Sequence, residues 1–476
     1  MKPRAKPGKR ITVATTLVAC IAIQVAWGGW SNPASGQEFD VGDWPRFQGL
    51  RGDGSSDEKG MLRTWPAEGP AVLWRQAIKH GWGCPSVVGD DVYLGWTEQR
   101  RGDEETLACL SASTGEIRWR HTYEVGPYWE RNIGWGPGGY RSTPCVAGDW
   151  VFGLGSVGHL RCLDRHSGKP VWSVNLWDDW NPSGEKGYVF SPIVVDGKLI
   201  LWYGDGVSPA NEPLPDPERE FHKRSVLCRA LNPATGKPLW EFRQAHRPES
   251  RCGEGQTPAV VRLGAENCVI VTGNAELKAI RVADGREVWK HECSQPRMRG
   301  TTIPTPLVVG NYLVNIPDSD PAHAIQWDPA DPQQPARVAW TNNVGMYCPI
   351  HQFRHHDGYL YGFSGEVMGG SEQAASDSVL NLTCLELATG KVVWSEPGFK
   401  TGVALTLADG LIFVRSYQTL QLIEASPQGY LPRGKVKTHD VWKPTLNLLD
   451  FVQPVLSRGR LYIRTPDELI CYHVGS

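Results

Sequence analysis

The chain has 476 residues, of which 40% are hydrophobic and 21% are charged, and its formal net charge is −2 at pH 7. The balanced charge excludes the extended basic surface that nucleic-acid-binding proteins use, so no nucleic-acid partner is expected. The apolar content is ample for a large core, and length alone would suggest two or three domains.

The chain begins with a segment that is typical of protein export. Five basic residues within positions 1–10 precede an apolar run over residues 11–27, and small polar residues follow at 31–36. This order predicts a signal peptide over residues 1–36, with a candidate cleavage site after Gly36, and a periplasmic or otherwise extracytoplasmic location in a bacterium. Two alternatives stay open, which are an uncleaved membrane anchor and a lipoprotein whose lipid anchor is carried by Cys20.

Residues 37–70 are assigned to an N-terminal extension, and residues 71–476 to one repeat domain. Within that domain a short phrase returns five times with its Gly and Trp four residues apart, ending at Trp119, Trp172, Trp240, Trp289 and Trp394. Apolar residues on both sides of a small polar turn such as 113–115 predict a β-hairpin, with Gly supplying positive φ. The Trp on the returning strand must be buried against a neighbouring unit.

A second hairpin phrase precedes each of these phrases, and it occurs eight times. Its copies lie at residues 84–96, 143–155, 191–204, 257–273, 305–317, 348–365, 403–416 and 452–465. Two Gly-Trp phrases are degraded, one ending at Trp340 and one running through Val436. Together the two phrases predict eight units of four strands each.

The eighth unit ends at residues 469–474 without a fourth strand, whereas residues 71–76, which include Trp74, form an extra strand at the other end of the domain. We therefore predict an all-β fold, an eight-bladed β-propeller of four-stranded antiparallel blades. The N-terminal strand would close the ring by pairing with the C-terminal blade. A linear β-solenoid is the structural alternative, but it would not need the divided unit.

The predicted loops differ at the two ends of the blades. Short turns lie at one end, which we call the short-turn face. The other end, the long-loop face, carries the loops within 97–107, 121–141, 173–190, 204–224 and 364–379. Long loops on a rigid scaffold favour binding, here of a protein or a polysaccharide.

Residues that precede the innermost strands would point towards the mouth of the central channel. Eight of them are candidate ligand-binding residues: Trp82, Tyr140, Arg141, Tyr188, Gln256, Arg299, Tyr347 and Asp450. Aromatic residues and Arg are typical interface anchors, although packing of the rim is the alternative for each of them.

Twelve cysteines in an exported chain could form disulfides. However, Cys109, Cys162 and Cys384 occupy a repeat position that Ala230 and Ala279 fill in other units, which predicts a small buried site and inert thiols. Cys252 and Cys293 lie in loops and could pair.

His351, His355 and His356 lie close together, but two of them adjoin a short turn, which favours a solvated turn over a metal site. No metal site and no catalytic residue are predicted.

The repeat phrase, as it stands around Leu163–Asp164 and Thr389–Gly390, resembles that of the pyrroloquinoline-quinone (PQQ)-like β-propellers. This superfamily includes quinoprotein alcohol dehydrogenases and BamB-like assembly proteins. The segment 43–54, followed by 64–75, is similar to the start of secreted bacterial members, and the resemblance covers residues 43–476. It implies an exported propeller that binds a partner.

The sequence departs from the dehydrogenases of this superfamily. It has neither their adjacent cysteine pair nor the CxxCH motif of the haem-linked members, and no position matches their calcium cage. We therefore expect a non-enzymatic binding or assembly scaffold without a cofactor. The alternative is a PQQ-dependent dehydrogenase acting on an alcohol or a polymer, with PQQ and calcium held near Glu254, Glu366 and Asp450. A hydrolase or lyase is a third hypothesis, for which the sequence offers no catalytic dyad.

Overall fold

The structure is a computed structural model. It describes residues 39–99, 102–126, 139–176, 188–203, 225–245, 257–273, 276–292, 305–316, 322–328, 336–342, 353–365, 379–400, 403–416, 419–438, 452–465 and 467–476. The predicted signal peptide and Cys20 lie outside these residues. Within the described ranges, no helix combines the length and the apolar character that a membrane span requires.

The described strands form eight antiparallel sheets of four strands, which confirms the predicted eight-bladed propeller. Two strands, β1 (Ser55–Ser56) and β2 (Val72–Ala77), precede blade 1. Blade 1 consists of β3 (Ser86–Val88), β4 (Asp91–Trp96), β5 (Glu104–Ser111) and β6 (Ile117–Glu124). Blade 2 consists of β7 (Cys145–Ala147), β8 (Trp150–Leu154), β9 (His159–Asp164) and β10 (Pro170–Asn175). Blade 3 consists of β11 (Ile193–Val195), β12 (Lys198–Tyr203), β13 (Ser225–Leu231) and β14 (Pro238–Ala245).

The remaining blades repeat this order from the channel outwards. Blade 4 consists of β15 (Ala259–Leu263), β16 (Glu266–Gly273), β17 (Glu276–Arg281) and β18 (Glu287–Glu292). Blade 5 consists of β19 (Leu307–Val309), β20 (Tyr312–Asn315), β21 (Ala322–Gln326) and β22 (Arg337–Asn342). Blade 6 consists of β23 (Arg354–His356), β24 (Tyr359–Ser364), β25 (Val379–Glu386) and β26 (Val392–Lys400). Blade 7 consists of β27 (Val403–Ala408), β28 (Leu411–Ser416), β29 (Thr419–Glu424) and β30 (Leu431–Lys437). Blade 8 consists of β31 (Val455–Ser457), β32 (Arg460–Arg464), β33 (Glu468–His473) and β2.

The ring closes in blade 8 as the sequence predicts. Strand β2 pairs antiparallel with β33, and Trp74 lies opposite Cys471. Strand β2, from the start of the repeat domain, therefore completes blade 8 at its end. The pairing covers the edge of β33 that would otherwise be open.

At five junctions of the ring, a Trp of one blade lies on a glycine of the next blade. The indole of Trp119 lies against Gly168 of the next blade, where a Cβ would come within 2.6 Å of the ring. Its Nε1 also donates a 2.9 Å hydrogen bond to the carbonyl of Arg165 in the same turn. The fixed spacing of Gly and Trp thus has two causes, since Gly receives the preceding blade's indole while Trp reaches the following blade.

The junction between blades 7 and 8 is built differently. Gly434, which pairs with Leu422, stands where the other blades have Trp. Trp65 from the N-terminal extension lies beside Gly434 and 6.2 Å from the ring of Phe413. Met61 and Trp65 belong to the buried cluster that joins these two blades. An aromatic side chain from outside the repeats therefore fills the position that the degraded repeat leaves open.

The extension is part of the propeller. Strand β1 adds to blade 7 as a short fifth strand, parallel to the innermost strand β27. Trp44 exchanges two backbone hydrogen bonds, of 2.7 and 2.8 Å, with Val87 on the innermost strand of blade 1. The carbonyl of Pro45 accepts a 2.8 Å hydrogen bond from Val146 on the innermost strand of blade 2. We call residues 39–63 the plug, because they run along the innermost strands and the short turns at the short-turn face of the ring.

The described cysteines confirm the packing prediction. Cys84, Cys109, Cys145, Cys162, Cys228, Cys268, Cys384 and Cys471 are all free and buried. Burial raises the pKa of Cys162 to about 12, so that this thiol stays protonated and unreactive at neutral pH. Cys252 and Cys293 lie outside the described residues.

Candidate functional site

The plug lies at the short-turn face of the central channel. Asp409, in the turn between β27 and β28, accepts hydrogen bonds from the amides of Gly60 (3.0 Å) and Met61 (3.2 Å) and pairs with Arg63 at 2.8 Å. In the corresponding turn of blade 8, Arg458 contacts Asp40 at 2.6 Å and Asp43 at 2.9 Å. Two tight turns therefore hold the segment at both of its ends.

The plug lies to one side of the axis. The innermost strands of blades 1, 2, 7 and 8, which are β3, β7, β27 and β31, are buried at every position. In contrast, β11, β15, β19 and β23 of blades 3–6 each retain accessible surface. The innermost strands of blades 1, 2, 7 and 8 are therefore covered more fully than those of blades 3–6.

Hydroxyl groups connect neighbouring blades at the mouth of the channel. Thr143 Oγ1 accepts a 3.1 Å hydrogen bond from the amide of Cys84, and Ser191 Oγ accepts one of 2.9 Å from the amide of Thr143. Thr257 Oγ1 likewise accepts a 3.0 Å bond from the amide of Ser191. We call these three side chains the hydroxyl ring. Each of them precedes a proline, and together they fix the start of the innermost strands.

Four of the eight candidate residues lie within the described ranges. Tyr140 and Tyr188 are buried in the rim: Tyr140 packs with Tyr123, and Tyr188 lies 6.1 Å from the ring of Phe190. The rim-packing alternative therefore applies to these two tyrosines. Trp82 and Arg141 are half-buried at the mouth, and the amide of Trp82 donates a 2.6 Å hydrogen bond to the carbonyl of Tyr140.

The other four candidate residues, Gln256, Arg299, Tyr347 and Asp450, lie outside the described ranges. Trp82 and Arg141 remain candidates for ligand contact at the mouth.

A buried carboxylate that the sequence analysis missed lies between blades 1 and 2. Glu105 accepts hydrogen bonds from the amide of Ser156 (2.9 Å) and from the hydroxyl of Tyr123 (3.0 Å). Burial, and then the charge of Glu105, raise the pKa of Tyr123 well above its ordinary value. The guanidinium of Arg161 lies 3.8 Å over the same ring. Glu105 is fully buried, so we assign this cluster to packing between the blades.

A second buried charge cluster lies between blades 3 and 4. Glu276 contacts Lys278 Nζ at 2.5 Å and Lys290 Nζ at 3.3 Å, and the side chains of Glu276 and Lys278 have no accessible surface. Burial alone would raise the pKa of Glu276, but Lys278, Gln244 and Lys290 outweigh this effect and lower it to about 2. The carboxylate is ionised and fully occupied, so it is not available as a general base.

The described residues do not supply a metal site. Among them, no three His, Cys, Asp or Glu side chains are grouped closely enough to hold an ion. His355 Nε2 accepts a 3.1 Å hydrogen bond from the amide of Gly358, within the short turn that the sequence predicts. The carboxylates considered for calcium, Glu254, Glu366 and Asp450, and also His351, lie outside the described ranges.

Solved structures that are similar to this chain include two quinohemoprotein alcohol dehydrogenases and BamB. Quinohemoprotein alcohol dehydrogenase from Comamonas testosteroni is similar with a TM-score of 0.62 and 13% identity, over 91% of this chain and 81% of its own. A second such enzyme, from Pseudomonas putida HK5, has a TM-score of 0.65 and 12% identity, over 92% and 81%. BamB from Moraxella catarrhalis has a TM-score of 0.56 and 13% identity, over 85% and 99%. At these identities the likeness establishes the fold alone.

A search of curated proteins finds no significant match. The family model described as outer membrane protein assembly factor BamB matches residues 59–127 and 126–368. This match covers more than half of the sequence and agrees with the eight-bladed ring and its repeat. The chain therefore belongs to the PQQ-like β-propeller family that this BamB model describes.

Proposed function

We propose that the chain is an exported, non-enzymatic β-propeller that binds a protein partner at its long-loop face and serves as a binding or assembly scaffold in the cell envelope. The observation that carries the proposal is the plug, since a segment fixed to the innermost strands at the short-turn end makes the long-loop face the more open way into the channel. The family model, which describes an outer membrane protein assembly factor, supports a protein over a polysaccharide as the partner.

The construction of the ring supports a scaffold role. The hydroxyl ring and the Trp-on-glycine contacts hold the blades in register, so the loops between them start from fixed points. Glu98 and Gln99, which follow β4 after Thr97, are exposed at the start of one long loop. A rigid ring that presents exposed loops binds a partner at a low cost in conformational entropy.

Site-specific photocrosslinking in the native host tests the proposed face. A photoreactive residue at Gln99 on the long-loop face is compared with one at Asp149, a short-turn position whose side chain is 83% exposed. We expect a discrete protein adduct, identified by mass spectrometry, from Gln99 and none from Asp149. Equal labelling at both positions, or adducts from Asp149 only, would contradict the proposal. A glycan adduct at Gln99 would establish polysaccharide as the partner instead.

Export is a separate part of the proposal, and it has its own test. Mass spectrometry of the N-terminus of protein isolated from the envelope fraction distinguishes cleavage near Gly36, retention of the whole segment and lipidation at Cys20. Recovery of the protein only in the cytoplasm would contradict export.

The dehydrogenase alternative is tested on the purified protein. Dye reduction is measured after incubation with PQQ and calcium, across alcohols, sugars and oligosaccharides. The scaffold proposal expects no reduction above that of the heat-inactivated protein. Saturable, substrate-dependent reduction would replace the scaffold proposal with the dehydrogenase.

A further inference from the structure

The junction between blades 4 and 5 lacks the contact that joins blades elsewhere in the ring. At six junctions an indole Nε1 donates to a carbonyl of the next blade, at distances between 2.6 and 2.9 Å. Trp289 of β18 occupies the same repeat position, yet among the described residues its buried Nε1 has no acceptor. No described glycine has the Trp289 ring as its nearest neighbour. The outer strand of blade 4 is therefore not fastened to blade 5 in the usual way.

The groups that would form this contact are engaged within their own blades. The acceptor expected from the repeat is the carbonyl of Trp327, which corresponds in register to that of Arg165 in blade 2. This carbonyl accepts a 2.9 Å hydrogen bond from Asn311 Nδ2 of its own blade. Trp289 is stacked with His291 of its own strand, with 6.3 Å between the ring centres.

A small gap remains between the two blades. Its lining combines strands of both blades and consists of Val261, Leu263, Ile270, Trp289, Leu313 and Trp327. The gap has room for about one water molecule, but a buried water needs about three polar partners, and these side chains are apolar apart from their indole N–H groups. Unfilled space of this kind removes packing contacts from both of its walls.

A second buried polar group in this junction has no partner. Asn315 is 1% exposed, and neither its Nδ2 nor its Oδ1 forms a hydrogen bond within the part of the chain that the structure describes. Side chains alternate along β20, so Asn315 lies on the same face as Leu313, which packs in the apolar cluster between blades 4 and 5. A buried amide without partners destabilises the closed junction relative to an apolar side chain of similar size.

The channel end of the junction, in contrast, is held by a hydrogen bond. Thr305, shortly before β19, donates from Oγ1 to the carbonyl of Thr257, shortly before β15, at 2.6 Å, and both residues are buried. We propose that the ring opens at this junction. Blades 4 and 5 part on the outer side of the ring, with the bond between Thr257 and Thr305 as the hinge, while the other junctions stay closed. The proposal is independent of the scaffold function, because it concerns a movement within the ring and needs no partner.

Two native thiols report on opening at two different junctions. Cys268 on β16 lies in the apolar cluster between blades 4 and 5. Cys162 on β9 lies in the cluster between blades 2 and 3, where the Trp172 indole lies on Gly236 and donates to a carbonyl at 2.8 Å. Both thiols are fully buried, and burial raises the pKa of each to about 12. A difference in their labelling rates therefore reports access rather than thiol acidity.

The test labels the folded, full-length protein with N-ethylmaleimide and measures each cysteine by peptide mass spectrometry at increasing urea concentrations. We expect Cys268 to be labelled about 10- to 100-fold faster than Cys162, because opening the junction of blades 4 and 5 breaks no indole hydrogen bond. Labelling of Cys268 at low urea should depend weakly on the urea concentration, since local opening exposes little surface. Labelling of Cys162 should follow global unfolding.

Three variants test the cause of the opening. Asn315→Leu removes the unpaired amide from the closed junction and should slow labelling of Cys268 about 10-fold. Trp289→Phe removes an N–H that has no acceptor and should change labelling of Cys268 by less than about threefold. The matched control, Trp172→Phe, removes a bonded donor and should speed labelling of Cys162 about 10-fold.

Several outcomes would overturn the proposal. One is equal labelling of Cys268 and Cys162 in the wild-type protein, and another is labelling of Cys268 that follows global unfolding. Unchanged or faster labelling of Cys268 in Asn315→Leu would also contradict it, as would an effect of Trp289→Phe as large as that of Trp172→Phe. The wild-type comparison needs no variant, so it decides the proposal even if a variant does not fold. Crosslinking from Gln99 is unaffected by these results, and the two proposals therefore fail separately.

Discussion

The indole of Trp74 lies directly against Gly115, so that a Cβ at this glycine would come within 2.6 Å of the ring. Trp74 Nε1 also donates a 2.9 Å hydrogen bond to the carbonyl of Ala112 in the same turn. Trp74 belongs to blade 8 and Gly115 to blade 1, so this contact joins the two ends of the repeat domain. It is the same Trp-on-glycine contact that joins the blades elsewhere in the ring.

Substitution of this glycine tests the contact. Gly115 has a φ of 79°, and Gly115→Ala adds backbone strain to a steric conflict with Trp74. We expect a loss of about 2–5 kcal/mol in the free energy of unfolding. The matched control is Gly89→Ala, whose φ is 61° but whose Cβ would meet nothing within 4 Å, and its expected loss is about 1–2 kcal/mol. Chemical denaturation measures both variants, and equal losses would show that the indole contact contributes nothing.

The repeats made most of the ring predictable from the sequence. Period, turn glycines and buried Trp residues recur, so each unit supports the interpretation of the others, and the missing strand of blade 8 indicates closure through Trp74. A repeat position shared by Cys109 and Ala230 predicts a buried packing site, which the structure confirms.

The plug was not predictable in the same way, because its contacts do not recur from blade to blade. Strand β1 has only two residues, and it pairs with a strand more than 350 positions away. Trp44 and Arg46 belong to no repeat, so no second copy indicates their environment. For Tyr140 and Tyr188, residue type alone could not separate a ligand contact from rim packing, since an aromatic side chain serves either purpose.

The hydroxyl ring predicts a sharp difference between two similar substitutions. Thr143 is buried, and its Oγ1 accepts the hydrogen bond from the amide of Cys84. Thr143→Val leaves that buried amide without an acceptor at nearly constant volume, so we expect a loss of about 1–3 kcal/mol in unfolding free energy. Thr143→Ser retains the acceptor and should lose less. The prediction would be wrong if urea denaturation ranked Thr143→Ser below Thr143→Val.

The charge cluster between blades 3 and 4 predicts that the stability of the fold depends strongly on the carboxylate of Glu276. Glu276→Gln leaves Lys278 charged and without accessible surface, and we expect a loss of about 3–5 kcal/mol in unfolding free energy. Lys290→Met removes a partner that is 48% exposed and should lose no more than about 1 kcal/mol. The double variant Glu276→Leu, Lys278→Met should recover much of the loss. If Glu276→Gln lost less unfolding free energy than Lys290→Met, the prediction that the buried carboxylate stabilises this cluster would be wrong.

The attachment of the plug should weaken in acid. Burial alone would raise the pKa of Asp409, but the amides of Met61 and Gly60 and the Arg63 guanidinium hold it below its ordinary value. A carboxyl with a lowered folded-state pKa contributes its full stabilisation above the unfolded-state value, about 4, and loses it as the pH falls through the folded-state value. We therefore expect hydrogen exchange at residues 59–63 to accelerate, relative to the intrinsic rate, as the pH falls below about 4.

Asp409→Asn is the control for this pH dependence. Exchange of the same amides should already be faster at pH 7 in this variant, and the acid-dependent step should be reduced. If the acid-dependent step in Asp409→Asn were as large as the step in the wild-type protein, the acid sensitivity would belong to another group.

Hydrogen exchange at Trp44 and Val87 tests the plug most directly, because each of these amides donates to the carbonyl of the other. If the plug is fixed to the innermost strand of blade 1, both amides should exchange as slowly as those in the centres of β4 and β28. Rapid exchange at Trp44, with Val87 unprotected and the blade strands still slow, would show that the plug is not held against the innermost strands.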